Sequence, residues 1–141
     1  MLGTNGAGKT SVFKILTSEL FPTSGDSHIG GYSSVFNQSK TRQLIGYCPQ
    51  FDAISSLLTG KEHLELYARI KGVPAEKIPD FVDQKLKEMD LDQYRDVQAG
   101  NYSGGNKRKL CVAIACIGNP PVVFLDEPSA GMDPDARKKM W

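Results

Sequence analysis

Gly3-Thr4-Asn5-Gly6-Ala7-Gly8-Lys9-Thr10, near the amino end of the chain, is the stretch whose reading decides the fold. It satisfies the pattern G-x-x-x-x-G-K-[ST], in which successive backbone amides wrap phosphate oxygens at the start of a helix. Each residue type has a physical task. Glycine lets the backbone approach an anion without a Cβ, Lys9 would reach the β and γ phosphates, and the Thr10 hydroxyl would ligate Mg²⁺. Gly3, Asn5, Gly6, Ala7, Gly8, Lys9, Thr10 and Ser11 are therefore the candidate nucleotide-binding residues. The competing reading is a flexible glycine turn before an ordinary helix. Val12, Phe13, Ile15, Leu16 and Leu20 weigh against it, because they continue the loop as a helical stripe that stops at Phe21-Pro22. The strand that should feed the loop is expected upstream of Met1.

Working outward, a second constellation lies far along the chain. Val122-Val123-Phe124-Leu125 reads as a buried parallel strand, and Asp126-Glu127 follows it. Two carboxylates then sit at the carboxyl end of a strand, the edge at which open α/β sheets bind ligands. Beside a phosphate loop, Asp126 would hold Mg²⁺ and Glu127 would orient or deprotonate an attacking water. Taken alone, the same residues describe a strand that meets an exposed acidic turn.

A third constellation is Asn101-Tyr102-Ser103-Gly104-Gly105-Asn106-Lys107-Arg108-Lys109-Leu110, which places a hydroxyl and two glycines at a helix start. Ser103, Gly104 and Gly105 make a second anion-seeking helix end. The plainer alternative is a glycine-softened cap followed by a basic, solvated first turn.

Composition bounds the rest. The chain has 141 residues, 17 Lys plus Arg against 16 Asp plus Glu, and a net charge of +1. One domain at most fits that length. With 40% hydrophobic and 23% charged residues the chain is globular in class, and its balanced charge draws it to neither nucleic acid nor anionic lipid. Lys107, Arg108 and Lys109 lack interleaved aromatics and read as a solvated helix turn, so no nucleic-acid partner is expected. Cys48, Cys111 and Cys116 form no C-x-x-C pair, which fits neither a disulfide framework nor a zinc site and favours a reducing, cytosolic setting. No apolar run approaches the roughly 20 residues of a membrane span.

Between the motifs, a short extended piece is expected around Ser27 to Ile29 and a strand from Leu44 to Cys48, ended by Pro49. Thr59-Gly60-Lys61-Glu62 is a capping box that opens a helix carrying Leu64, Leu66, Tyr67 and Ile70 as far as Gly72. A further helix, Asp80 to Met89, sets Phe81, Val82, Leu86 and Met89 on one side. The last runs from Ser103 through Leu110, Ala113, Ile114 and Ile117 to Gly118. This alternation is α/β.

The residues from Tyr102 to Leu110, with Tyr47-Cys48-Pro49-Gln50-Phe51-Asp52-Ala53, Leu58-Thr59-Gly60 and the run from Pro121 to Pro134, resemble the nucleotide-binding domain of ATP-binding cassette transporters, the A subfamily in particular. The resemblance covers essentially the whole chain. It implies a P-loop NTPase fold with a mainly parallel core sheet and an inserted helical subdomain, incomplete at both ends. Residues 1–50 would form core with the phosphate loop, 51–110 the mainly helical subdomain, and 111–141 the return to core.

It also implies a two-faced ATPase. The loop at Lys9 and the Ser103-Gly104-Gly105 helix start of a second nucleotide-binding domain would close over one ATP. Gln50 would contact metal and water and report nucleotide state to the transmembrane domains, while Asp133 would communicate across the pair. The plain alternatives are a polar turn residue for Gln50 and a helix cap for Asp133. The family's adenine-stacking aromatic and downstream histidine have no counterpart here; His28 and His63 precede Asp126 and read as surface or packing residues. Ser129-Ala130-Gly131 stands where many relatives have Thr-Thr-Gly or Ser-Thr-Gly.

The function implied is ATP hydrolysis that powers transport, of lipids by subfamily, at the cytosolic face of a membrane. The rival is a soluble cassette ATPase of the kind that serves DNA repair or translation; repair types would carry long coiled coils between Lys9 and Ser103, where no sustained heptads occur. A non-hydrolysing regulatory module would be signalled by loss of Glu127 or Ser103, and both are present. Alone, the stretch is expected to show poor solubility and no turnover, since unpaired sheet edges and a reduced core follow from a missing central strand.

Overall fold

The computed structural model describes residues 8–51 and 53–127. Gly8 precedes the first helix with φ 82°, a left-handed conformation that glycine adopts without a Cβ clash. Helix α1, Lys9–Leu16, follows and ends in the turn at Thr17 and Ser18. It is shorter than its stripe suggests, leaving Leu20 beyond the helix and 49% exposed. Strands β1 (His28–Ile29) and β2 (Tyr32–Ser33) then pair as an antiparallel hairpin across Gly30-Gly31.

Helix α2, Gln38–Leu44, has no counterpart among the expected elements. Its sequence, Gln-Ser-Lys-Thr-Arg-Gln-Leu, has no apolar period, and only Thr41 is buried. It leads into β3, Ile45–Cys48. Helices α3 (Gly60–Ile70), α4 (Ile78–Glu88) and α5 (Gly104–Ala115) make up the following stretch, and β4 is Val122–Leu125. Pro79 sits in the first turn of α4, where its missing N–H leaves no helical bond unmade.

The helical part owns most of the core. Leu64 and Ala68 of α3, Ile78, Val82 and Leu86 of α4, and Leu110 and Ala113 of α5 enclose Leu91, Ala99, Tyr102 and Ile117. Two residues of the α3 stripe fall outside it: Leu66 and Ile70 are 44% and 66% exposed, while His63 takes the inward position. The His63 ring accepts a hydrogen bond from the Ser55 amide at 2.9 Å and donates to the Thr59 carbonyl at 2.8 Å, so it pins the preceding loop to the helix start.

Strands β3 and β4 pair in parallel, with Ile45 opposite Val122 and Cys48 opposite Leu125. Helix α5 packs on this pair through Cys111, Val112 and Ala115. The approach is so close that a Cβ on Gly46 would stand 1.8 Å from the Ala115 carbonyl oxygen, which makes glycine a steric requirement there. β4 is half-buried along its length rather than fully buried. Phe13 of α1 reaches it, its ring centroid 5.7 Å from that of Phe124.

Candidate functional site

The parallel register determines what meets at the sheet edge. Because Cys48 and Leu125 are partners, the residues that leave the two strands, Pro49-Gln50 and Asp126-Glu127, emerge side by side. The Asp126 amide donates to the Cys48 carbonyl at 2.9 Å, carrying the pairing one residue past β4. Helix α1 brings Thr10 to the same edge. Its hydroxyl donates to a carboxylate oxygen of Asp126 at 3.0 Å, although the two residues lie at opposite ends of the sequence. Asp126 is 2% exposed.

Outside that buried contact, the Gln50 side-chain amide donates to the Glu127 carboxylate at 3.3 Å, with both residues exposed. Glu127 has φ 49°, a left-handed conformation uncommon for a residue with a Cβ and one often stored at working sites. Thr10, Gln50 and Asp126 line a cleft of about 470 Å³, together with Lys14, Glu19 and Tyr47. Burial pushes the Tyr47 hydroxyl above the ordinary tyrosine range.

Thus Thr10, Gln50, Asp126 and Glu127 are brought together, with Lys9 and Ser11 on the same first turn of α1. Gly8 caps that turn. Gly3, Asn5, Gly6 and Ala7 lie outside the described residues, as does Asp133. Ser103, Gly104 and Gly105 do not line the cleft. They form a separate helix start, where the exposed Ser103 hydroxyl accepts the Asn106 amide at 3.2 Å. A Cβ on Gly105 would meet nothing closer than the Ser103 hydroxyl at 3.9 Å. No neighbour among the described residues requires glycine there.

One expectation is corrected. The basic run is not a solvated turn: Arg108 is 2% exposed and Lys109 is largely covered, its ammonium 3.5 Å from Asp90. Arg108 donates to the backbone carbonyls of Pro49, Gln50 and Asp126. The signal was present in the spacing. Arg108, Cys111, Val112 and Ala115 repeat at i, i+3, i+4 and i+7 and form a second buried stripe on α5, behind the one through Leu110, Ala113 and Ile117. A helix buried on two sides takes its charged residue inward when partners wait there.

A glycine-capped helix start that carries Lys9 and Thr10, beside two parallel strand ends that carry an amide and a pair of carboxylates, is the arrangement of a P-loop α/β fold. The pattern described as "ABC transporter" matches residues 1–130, and the chain belongs to that family. It is 57% identical over its whole length to the retinal-specific phospholipid-transporting ATPase ABCA4 of Homo sapiens, of which it covers 6%. It is 52% identical, again over its whole length, to the phospholipid-transporting ATPase ABCA3 of Rattus norvegicus, covering 8%. The chain therefore spans a small part of the curated relatives it matches.

Among solved structures, it superposes with a TM-score of 0.87 and 25% identity on the dimeric post-hydrolysis state of the ATP-binding cassette MJ0796 bound to ADP and Pi. That match covers 98% of this chain and 63% of the other. Among the described residues no helix is long and apolar enough to cross a membrane.

Proposed function

We propose that this stretch is the ATP-binding and ATP-hydrolysing part of a membrane transporter that moves lipid, working at the cytosolic face of the membrane and paired with a second nucleotide-binding domain. The observation that carries the reading is the meeting of Thr10 with Asp126 and of Gln50 with Glu127 at the sheet edge where α1 starts. The relatives named as phospholipid-transporting ATPases support the cargo, and the dimeric cassette supports the pairing. The division into core, helical subdomain and return to core belongs to the same proposal.

The donors suit a hard divalent cation. A hydroxyl and a carboxylate oxygen lie 3.0 Å apart beside a helix start, and Mg²⁺ prefers oxygen ligands shared with substrate phosphates. Thr10, Asp126 and Gln50 would hold it. When bound, Mg²⁺ neutralises charge on the β and γ phosphates. Lys9 would bind the same phosphates from the first turn of α1, and the amides after Gly8 would receive their oxygens. Glu127 would accept a proton from the attacking water while Gln50 orients that water. The acid-free helix start at Ser103 would close on the γ phosphate of the partner domain.

The exposed Phe51 and Leu57, in the loop between β3 and α3, would contact the transmembrane domains. The test is Glu127→Gln in the intact transporter. ATP binding is expected to persist while phosphate release falls by about 10² to 10⁴, the range for loss of a general base. Turnover at the parent rate would remove Glu127 from its role.

A further inference from the structure

We propose that Arg108 is a positioning residue for ATP hydrolysis, one guanidinium that sets the orientation of Gln50 and Glu127 together. The inference rests on the reading above, in which those two side chains handle the attacking water. Its ground is the identity of the carbonyls that Arg108 holds. The carbonyls of Pro49 and Asp126 belong to the peptide groups whose nitrogen ends are Gln50 and Glu127. Gripping those two peptide planes fixes where each backbone turns outward, and so where each side chain starts. Glu127 then departs in its left-handed conformation and accepts from Gln50 at 3.3 Å.

Arginine suits the task because its planar fork presents several donors in fixed directions, whereas lysine offers a point charge on a flexible stem. A guanidinium 2% exposed is tolerated only where such acceptors satisfy it. Arg108 also lies on the helix that Ser103 caps, so the fork and the second phosphate-seeking helix start are parts of one rigid element.

Arg108→Met in the intact transporter retains the stem and the buried volume and removes the donors. ATP affinity is expected to stay at the parent value while kcat falls about 10²-fold, the scale of a misplaced reacting group. Gln50→Ala should then cost much less in the Arg108→Met background than in the parent, since groups that act as a unit are non-additive. Arg108→Lys should recover part of the loss. Parent kcat in Arg108→Met, or affinity and kcat falling in proportion with fully additive Gln50→Ala, would overturn the proposal. Should Arg108→Met fail to accumulate, Arg108→Lys alone decides, and parent kcat there overturns it equally. Glu127→Gln separates the two levels. If that variant is inactive and Arg108→Met is not, only the positioning role falls; if Glu127→Gln turns over normally, both fall.

Discussion

Helices α1 and α3 begin in opposite ways. At α3 the chain closes its own start: the Thr59 hydroxyl accepts the Glu62 amide at 3.1 Å, and the Glu62 carboxylate accepts the Thr59 amide at 2.8 Å. The carboxylate also complements the positive end of the helix dipole. At α1 the cap is Gly8, which has no side chain to offer, and no acidic residue stands in the first turn. A carboxylate there would repel an incoming phosphate. A helix start finished by its own side chains is therefore architecture, and the glycine, Lys9 and Thr10 that α1 supplies instead are what the proposed phosphate site calls for. The start of α5 lies between the two: Ser103 caps it, but no acid follows.

The hardest test of this contrast falls on α1. Lys9→Met keeps the stem and removes the charge, and phosphate release from the intact transporter should fall about 10² to 10³-fold, as on loss of a preorganised charge partner in a transition state. Hydrolysis at the parent rate would mean that the start of α1 is no more committed to phosphate than that of α3. The intermediate case at α5 is separable because glycine is itself a fair cap. Ser103→Gly should cost only a few tenths of a kcal/mol in stability, whereas loss of the hydroxyl as a cap to alanine costs about 1 kcal/mol. If the Ser103 hydroxyl serves the partner's ATP, Ser103→Gly should slow hydrolysis with its melting temperature nearly unchanged. A large drop in melting temperature without loss of turnover would reassign Ser103 to capping alone.

The same contrast explains how much was legible. Motifs fixed by local chemistry, such as the Thr59–Glu62 box and the strand ends at Pro49 and Asp126, stand where sequence reasoning put them, because spacing alone determines them. Elements held by their surroundings were harder. Helix α2 has no apolar period, and the polar Thr41 is its only buried residue, so nothing in its sequence announced a helix. Leu66 and Ile70 looked like core, yet the inward face of α3 runs through His63 and Leu64, because the loop at Ser55 needs the imidazole. Arg108 is hard to read for a related reason. Three consecutive basic residues resemble a solvated turn until the second buried stripe of α5 is counted. Thr10 and Asp126 could be matched only through what their residue types do, since nothing in the order of the chain says that these two positions meet.

The smallest effect concerns the closed start. The backbone amide of Thr59, foremost among its partners, holds the Glu62 carboxyl below the ordinary glutamate range. A carboxyl whose folded value lies below its unfolded one contributes stability that is complete above the unfolded value and is lost as pH falls through the folded value. Melting temperature should therefore be insensitive to Glu62 at neutral pH and should drop on acidification below the ordinary glutamate range. Glu62→Gln retains an oxygen for the Thr59 amide without a titrating charge, so its melting curve should lose that part of the acid dependence while ATP turnover at neutral pH equals the parent's. Because Glu62 is exposed, solvent screening keeps the effect modest. An unchanged acid dependence in Glu62→Gln would show that hydrogen bonding alone finishes α3, and the difference from α1 would then reduce to which start supplies an acceptor of its own.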